Sequence, residues 1–116
     1  MLSHAVYFSL KDRSPAAVKA LLAACEKYLT GHPGTVSFAV GTLAPYDRHV
    51  NDRGFDVALE IVFESQAAHD AYQTAERHTQ FIAEQAPNWS QVRVFDVDVA
   101  SHTWDRLQPV TKRPTG

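Results

Sequence analysis

The order of its apolar segments is the feature that most constrains how this chain can fold. Four segments are rich in β-branched and aromatic residues, as strands are, and two repeat apolar residues at helical spacing. Along the chain they run strand, helix, strand, strand, helix, strand. The strands are predicted over residues 4–10, 35–41, 55–63 and 91–99, and the helices over residues 15–30 and 65–86.

Capping and turn residues mark the ends of the two helices. Ser14 precedes Pro15, which places an N-cap before a proline at the first helical position. Glu64-Ser65 opens the second helix, and Pro87-Asn88 ends it. After the first helix, Gly31-His32-Pro33-Gly34 has the composition of a turn. Each helix therefore connects two strands.

This order predicts an α+β domain of the ferredoxin-like βαββαβ type, with a four-stranded antiparallel sheet and both helices on one face. The opposite face is left bare. The side chains expected to point to it are Tyr7, Ala58, Val62 and Val94. Because a bare apolar sheet face usually marks an association surface, we expect a homodimer. The domain is predicted to span residues 1–99, followed by a tail over residues 100–116 that has no periodicity.

Length, charge and cysteine content narrow the class of protein. The 116 residues, 45% of them apolar, fit a single domain. A formal charge of −2 argues against a nucleic-acid partner, and no segment approaches the roughly 20 apolar residues of a membrane span. The single cysteine, Cys25, excludes an internal disulfide framework, so we expect a cytoplasmic protein. Residues 1–4 do not begin a signal peptide, and we expect the mature chain to be the whole chain.

Several short motifs fall at particular positions of this framework. They lie in the strands and in the second helix: His4, Gly34-Thr35-Val36, Gly41, Phe55-Asp56, Phe63-Glu64-Ser65, Tyr72 with His78, and Val94-Phe95-Asp96. In this order and spacing they resemble the stress-responsive A/B barrel, or Dabb, family over about residues 4–99. The resemblance implies a dimeric α+β barrel in which two ferredoxin-like protomers pack sheet to sheet. Some members of the family are associated with stress.

The resemblance also implies a site. One plant branch of the family consists of polyketide cyclases, in which a tyrosine and a histidine of the second-helix region promote an aldol ring closure between sheet and helices. Tyr72 and His78 stand at the corresponding positions. This chain departs from that branch at Val57, where a histidine is expected, and at Ala75-Glu76, which replaces the common His-Pro.

The spacing of Tyr72 and His78 allows two interpretations. Six residues of a continuous helix rotate by about 240°, so the side chains converge only if the helix breaks near Thr74-Ala75-Glu76. In that case the imidazole can take a proton from a carbon acid while the phenol donates to the developing enolate. Otherwise Tyr72 is a core aromatic residue and His78 a capping or surface histidine.

His4 shares the inward face of the first strand with Val6 and Phe8. A histidine buried there needs a hydrogen-bond partner, so it is either a satisfied core group or a group that faces a ligand. If His4 and His78 converge on one cavity, they form an acid/base or metal-ligating pair.

The leading hypothesis is a homodimer with a cavity between sheet and helices that binds a small apolar or aromatic molecule. The expected lining residues are Val6, Phe8, Leu22, Leu59 and Ile61. His78 is the expected general base and Tyr72 the hydrogen-bond donor, supported by His4, in proton-transfer or cyclase chemistry without a cofactor or a metal. The alternatives are a non-catalytic stress-related structural or binding protein with a filled interior, and a haem or metal enzyme with a histidine on the cavity wall.

Four other polar groups are better explained by structural roles. Asp56 and Glu60 share a strand face but are too few for a cation site, so we expect rim ion pairs with Arg93 or Lys11 of a partner protomer. His69 lies three residues before Tyr72 on the predicted helix, and a histidine at this spacing more often lies at the solvent-exposed edge of the helix. Cys25 falls in the apolar stripe of the first helix and is expected to act as a small core residue.

Overall fold

The computed structural model describes residues 1–103. Its strands are β1 (Leu2–Leu10), β2 (Thr35–Thr42), β3 (Val57–Phe63) and β4 (Trp89–Asp98). Its helices are α1 (Pro15–Leu29), α2 (Gln66–Thr74) and α3 (Glu76–Gln85), and a single 3-10 turn (Ala86–Asn88) leads from α3 into β4. Most of the tail expected over residues 100–116 lies outside the described residues.

The four strands form one antiparallel sheet in the order β2-β3-β1-β4, which confirms the predicted fold class. Burial alternates strictly along β1, because its even-numbered side chains face the helices. They pack with β3, α1 and the second helical segment into one core, which includes Leu21, Cys25, Leu59, Ile61, Phe63, Tyr72 and Phe81. The helices therefore cover one face of the sheet.

Serine caps start α1 and α2 at the predicted positions. The Ser14 hydroxyl accepts a hydrogen bond from the backbone N–H of Ala17, and the Ser65 hydroxyl accepts one from Ala68. Each bond satisfies an amide that the first turn leaves without a partner. The caps thus fix where both connections to the sheet begin.

Gly34 is required where β2 begins close to α2. Its φ of +81° lies in the left-handed region, and a Cβ at this position would lie 2.5 Å from the Cβ of Ala68. The Gly34 carbonyl also accepts a hydrogen bond from the backbone N–H of Glu64. The lack of a side chain therefore allows the end of β3 and the start of α2 to approach this turn.

The structure corrects three details of the sequence interpretation. β3 begins at Val57 rather than at residue 55, because the Asp56 carboxylate accepts hydrogen bonds from the backbone N–H of Leu10 and from Arg13. β4 covers Trp89–Asp98, which is two residues earlier than expected at its start. Val94 was expected on the bare face, but it pairs with Val6 and lies on the helix side.

Within residues 1–103, no helix is long and apolar enough to cross a membrane.

Candidate functional site

The second helical segment is broken at Ala75, between α2 and α3. Ala75 has φ −63° and ψ 145°, which is extended backbone, and its N–H bonds to the carbonyl of Tyr72. The break turns the two helices relative to one another, so that the rings of Tyr72 and His78 meet edge to face with centroids 4.7 Å apart. These two side chains, which a continuous helix would separate, converge.

Arg77 anchors the start of α3 to the end of α1. Its Nη1 donates to the carbonyl of Thr30 at 2.8 Å and its Nη2 to that of Lys27 at 2.5 Å. These are carbonyls that the end of α1 leaves without intrahelical partners, and a cation is favourable at that end of a helix. The contact holds α3 against α1 and thereby stabilises the break.

Tyr72 is buried at the centre of an aromatic cluster. Its ring contacts His78 on α3, His32 after α1 and Phe63 at the end of β3. The His32 ring donates from Nε2 to the carbonyl of Tyr28, which fixes its edge against Tyr72. Burial, with a smaller contribution from Cys25, raises the pKa of the Tyr72 phenol well above its usual range. The hydroxyl is therefore protonated at neutral pH and available as a hydrogen-bond donor.

His78 is half-buried beside this phenol. Burial lowers the pKa of His78, and the neighbouring His4, His32 and His69 lower it further. An imidazole with a lowered pKa is neutral near pH 7 and carries a free lone pair. The structure thus gives His78 the protonation state that a general base needs.

His4 is 4% exposed and has polar partners on two sides. Its Nδ1 lies 2.5 Å from Oδ1 of Asp96, its register partner on β4, and 3.3 Å from Nε2 of His69 on α2. Burial lowers the pKa of His4 by more than Asp96 raises it, so a neutral ring donates its Nδ1–H to the carboxylate. His4 is therefore both a satisfied buried group and a wall of the site.

Tyr72, His78, His4 and Asp96 border one open pocket between the sheet and the helices. Its volume is about 390 Å³, within the range of small-molecule sites. It opens beside β4, which α2 and α3 do not cover. The described residues that line it include His4, Val6, Phe8, Leu59, His69, Tyr72, Gln73, His78, Phe81, Trp89, Val94 and Asp96.

The sequence-based lining set agrees with this pocket at three of its five positions. Val6, Phe8 and Leu59 line it. Leu22 and Ile61 were expected to do so as well, but they are not among the lining residues. Ile61 is fully buried in the core, and Leu22 packs against the outside of the core from α1. The pocket therefore lies nearer β1 and β4 than the sequence indicated.

His69 and Asp96 are site residues that the sequence analysis did not single out. His69 was expected at a solvent edge, but its side chain is only 12% exposed and lies between His4 and Gln73. Asp96 interrupts the inward apolar positions of β4 at the level where His4 interrupts those of β1. A polar residue among the inward positions of each strand, at the same level of the sheet, is the sequence signal that could have indicated the contact between His4 and Asp96.

The other groups considered from sequence have structural roles. Asp56 pairs with Arg13 of the same chain, which was not one of its expected partners, and Glu60 accepts a hydrogen bond from Ser3. Arg93, one of the partners expected for them, pairs with Asp52 instead. Burial raises the pKa of the Cys25 thiol to about 12, which leaves it unreactive.

Chemically, the pocket combines a neutral base, a protonated phenol and a group of metal-ligating atoms. Nδ1 of His4, Nε2 of His69 and Oδ1 of Asp96 lie 2.5 to 3.9 Å from one another. The pocket can therefore accept a proton at His78, donate a hydrogen bond from Tyr72 and hold a cation at His4, His69 and Asp96.

The fold and the pocket together define the class of protein. It is a ferredoxin-like α+β domain whose pocket, between the sheet and the helices, is lined by titratable side chains. The chain belongs to the stress responsive A/B barrel domain (Dabb) family, whose model matches residues 2–99. No curated protein matches it by sequence.

Solved structures show the same fold at low sequence identity. A Dabb family protein with a ferredoxin-like fold from Mesorhizobium loti has a TM-score of 0.71 and 21% identity, covering 86% of this chain and 97% of that one. A dimeric ferredoxin-like protein of unknown function from Thermobifida fusca has a TM-score of 0.69 and 20% identity, covering 84% and 90%. The hydroxynitrile lyase of Passiflora edulis has a TM-score of 0.69 and 23% identity, covering 87% and 94%.

Proposed function

We propose that this protein is an enzyme that binds a small apolar or aromatic carbonyl compound in the pocket and catalyses proton transfer without a cofactor. His78 is the general base, Tyr72 is the hydrogen-bond donor, and His4, which is held by Asp96 and contacts the Tyr72 ring, supports them. The observation that carries this proposal is the helix break at Ala75, which sets the two rings 4.7 Å apart beside an open cavity.

The proposed step is the removal of a proton from carbon next to a carbonyl group. The His78 imidazole takes the proton, and the electron pair of the C–H bond moves into the carbonyl to form an enolate. Tyr72 donates a hydrogen bond to the enolate oxygen, where the negative charge develops. In a cyclisation the enolate carbon then attacks a second carbonyl of the same molecule, and the imidazolium returns its proton to the new alkoxide.

The lining of the pocket supports an apolar or aromatic substrate. Val6, Phe8 and Leu59 form its floor, and Phe81 and Trp89 form an aromatic end. A filled interior, as a purely structural protein would have, disagrees with a cavity of about 390 Å³ next to Tyr72. The hydroxynitrile lyase of Passiflora edulis, which has this fold, is an additional reason to test hydroxynitriles.

The test is a comparison of variants on aromatic ketones and aromatic hydroxynitriles. Deuterium incorporation at the α-carbon of the ketones, followed by NMR in D₂O, reports proton removal directly, and aldehyde release reports hydroxynitrile cleavage. We expect His78→Ala to lower the rate by about 10²–10⁴-fold and Tyr72→Phe by about 10²–10³-fold. His49→Ala, in the exposed loop before β3, serves as the control. Unchanged rates in both site variants would refute the assignment.

We also propose that two protomers pair through the uncovered face of the sheet. Phe95 and Val97 are large apolar side chains that lie half-exposed on this face of β4, and the Tyr7 ring packs beside Phe95. An apolar face of this kind is typical of an association surface. The relative from Thermobifida fusca is described as dimeric.

We also propose that the protein is cytoplasmic, because its single thiol stays reduced there.

Sedimentation analysis at micromolar concentration tests the pairing. We expect a dimer for the wild-type chain and a monomer for Phe95→Lys and Val97→Lys, because a buried unpaired ammonium is strongly unfavourable. Ala23→Lys, on the exposed side of α1, is the matched control and should remain dimeric. A monomeric wild-type chain, or a dimeric Phe95→Lys variant, argues against this interface.

A further inference from the structure

We infer that His4, His69 and Asp96 form a binding site for a divalent first-row transition-metal ion such as Zn²⁺. The three come from different elements, β1, α2 and β4, and all of them line the pocket. Each offers one donor atom: Nδ1 of His4, Nε2 of His69 and Oδ1 of Asp96. Two imidazoles and one carboxylate are a ligand set that metalloenzymes use for ions with an open coordination position.

The distances between the donor atoms are close to those around a bound ion. Ligands with bonds of about 2.1 Å are about 3.0 to 3.4 Å apart at octahedral or tetrahedral angles. Nε2 of His69 lies 3.3 Å from Nδ1 of His4 and 3.9 Å from Oδ1 of Asp96. Nδ1 of His4 and Oδ1 of Asp96, which share a hydrogen bond at 2.5 Å, must separate by about 0.5–1 Å. Asp96 can make this movement because it lies on an edge strand and its side chain is 42% exposed.

Hydrogen bonding prepares two of the donors in different ways. The Gln73 amide nitrogen lies 3.1 Å from Nε2 of His69 and donates to it, so this nitrogen is unprotonated, and a metal ion would take the place of the Gln73 hydrogen bond. His4 instead carries its proton on Nδ1, where it donates to Asp96. The metal therefore takes the place of one proton, and binding releases that proton to solvent.

The donor chemistry selects the class of ion. Mg²⁺ and Ca²⁺ prefer sites made of oxygen atoms, whereas imidazole nitrogen favours zinc and its first-row neighbours. The three ligands leave at least one coordination position, and all three line the pocket. A ligand in the pocket could therefore reach the ion.

The proposed proton transfer also uses His4 and Asp96, but the test of the metal site is separate from it, since metal binding is measured without a substrate. Tag-free protein is stripped with EDTA, dialysed and titrated with ZnCl₂ by calorimetry in two buffers of different ionisation enthalpy. We expect one Zn²⁺ per chain and the release of about one proton. Titration with Co²⁺ should give a visible absorption spectrum of a nitrogen- and oxygen-bound ion.

Matched variants assign the site. Asp96→Asn and His69→Ala should each weaken Zn²⁺ binding at least about tenfold, since even the outer partners of metal ligands contribute this much. Asp98→Asn, two residues along the same strand, and His49→Ala should bind as the wild-type chain does. Circular dichroism of each variant establishes that it is folded. Binding of less than one ion per chain, or equal affinities for Asp96→Asn and Asp98→Asn, would overturn the inference.

Discussion

β1 and β4 are paired along their whole length, yet their side chains meet different surroundings. On the helix side, Phe8 of β1 is 2% exposed and its register partner Val92 is 36% exposed. Val6 is 7% exposed, and its partner Val94 is 50% exposed. Alternation along a strand states which residues share a face, but whether that face is buried depends on what lies above it.

The covering layer stops between these two strands. α3 packs chiefly against α1, and α2 packs against β3 and α3, which leaves Val92 and Val94 of the edge strand 36% and 50% exposed. The pocket opens along this boundary, with His4 on the covered strand and Asp96 on the uncovered one. His4 and Asp96 therefore lie where a ligand in the pocket can contact buried residues.

Truncation of one register pair should show the largest difference between the strands. Phe8→Ala removes a ring that packs against Phe81 and Trp89, and we expect a loss of about 3–5 kcal/mol in the free energy of unfolding. Val92→Ala should cost less than about 1 kcal/mol, because its side chain keeps much of its exposure in the folded state. Urea denaturation measures both. Equal losses would mean that β4 is covered as β1 is.

A pair of proline variants tests the helix break that turns α3 toward α1. Glu76 occupies the first position of α3 and follows extended backbone at Ala75, which is the conformation that a residue before proline prefers. We expect Glu76→Pro to change the free energy of unfolding by no more than about 1 kcal/mol.

Gln80→Pro, within α3, is the comparison and should cost about 3 kcal/mol or more. Thermal and urea denaturation measure both variants. A loss of that size for Glu76→Pro would indicate a continuous helix through residue 76.

The fold was predictable from the chain because its signals are local. Hydrophobic periodicity, the Ser14-Pro15 start and the Pro87 stop place the elements, and their order leaves few topologies. The break at Ala75 has no such signal, since alanine favours helix and the segment contains neither glycine nor proline. Arg77 reaches across to the end of α1, and that contact joins residues far apart in sequence. Only the family resemblance indicated the break.

The candidate site residues also differ in how far the sequence alone indicates them. Tyr72 and His78 came from the resemblance, and His4 from an inward position on β1. His69 has a solvent-edge pattern in sequence, and its contact with His4 exists only because α2 lies beside the start of β1. Asp96 needs the register of β1 with β4, which alternation by itself does not supply.

Loss of the Arg77 anchor should have an intermediate effect. Arg77→Met removes two charged hydrogen bonds to carbonyls at the end of α1, and we expect it to lower the free energy of unfolding by about 1.5–3 kcal/mol. Lys27→Met removes a cation from the last turn of α1 and should cost less than about 1 kcal/mol. Chemical denaturation compares them. If both variants lower the free energy of unfolding equally, the positive charge near the end of α1 accounts for the effect and the specific Arg77 hydrogen bonds do not.

The smallest expected effect is the pH dependence that His78 contributes at the edge of the covered region. Burial and the nearby His4, His32 and His69 lower the pKa of His78 in the folded protein, and it also faces the phenol of Tyr72. Above pH 6.5 the imidazole is neutral in both states and costs nothing. As the pH falls below 6.5, the unfolded chain binds the proton first, so the free energy of unfolding decreases toward the lowered folded-state pKa. Urea midpoints of metal-free protein in EDTA, at pH 7.5 and pH 5.5, should therefore differ less for His78→Gln than for the wild-type chain. The same difference in both would show that His78 is not the group whose protonation opposes folding.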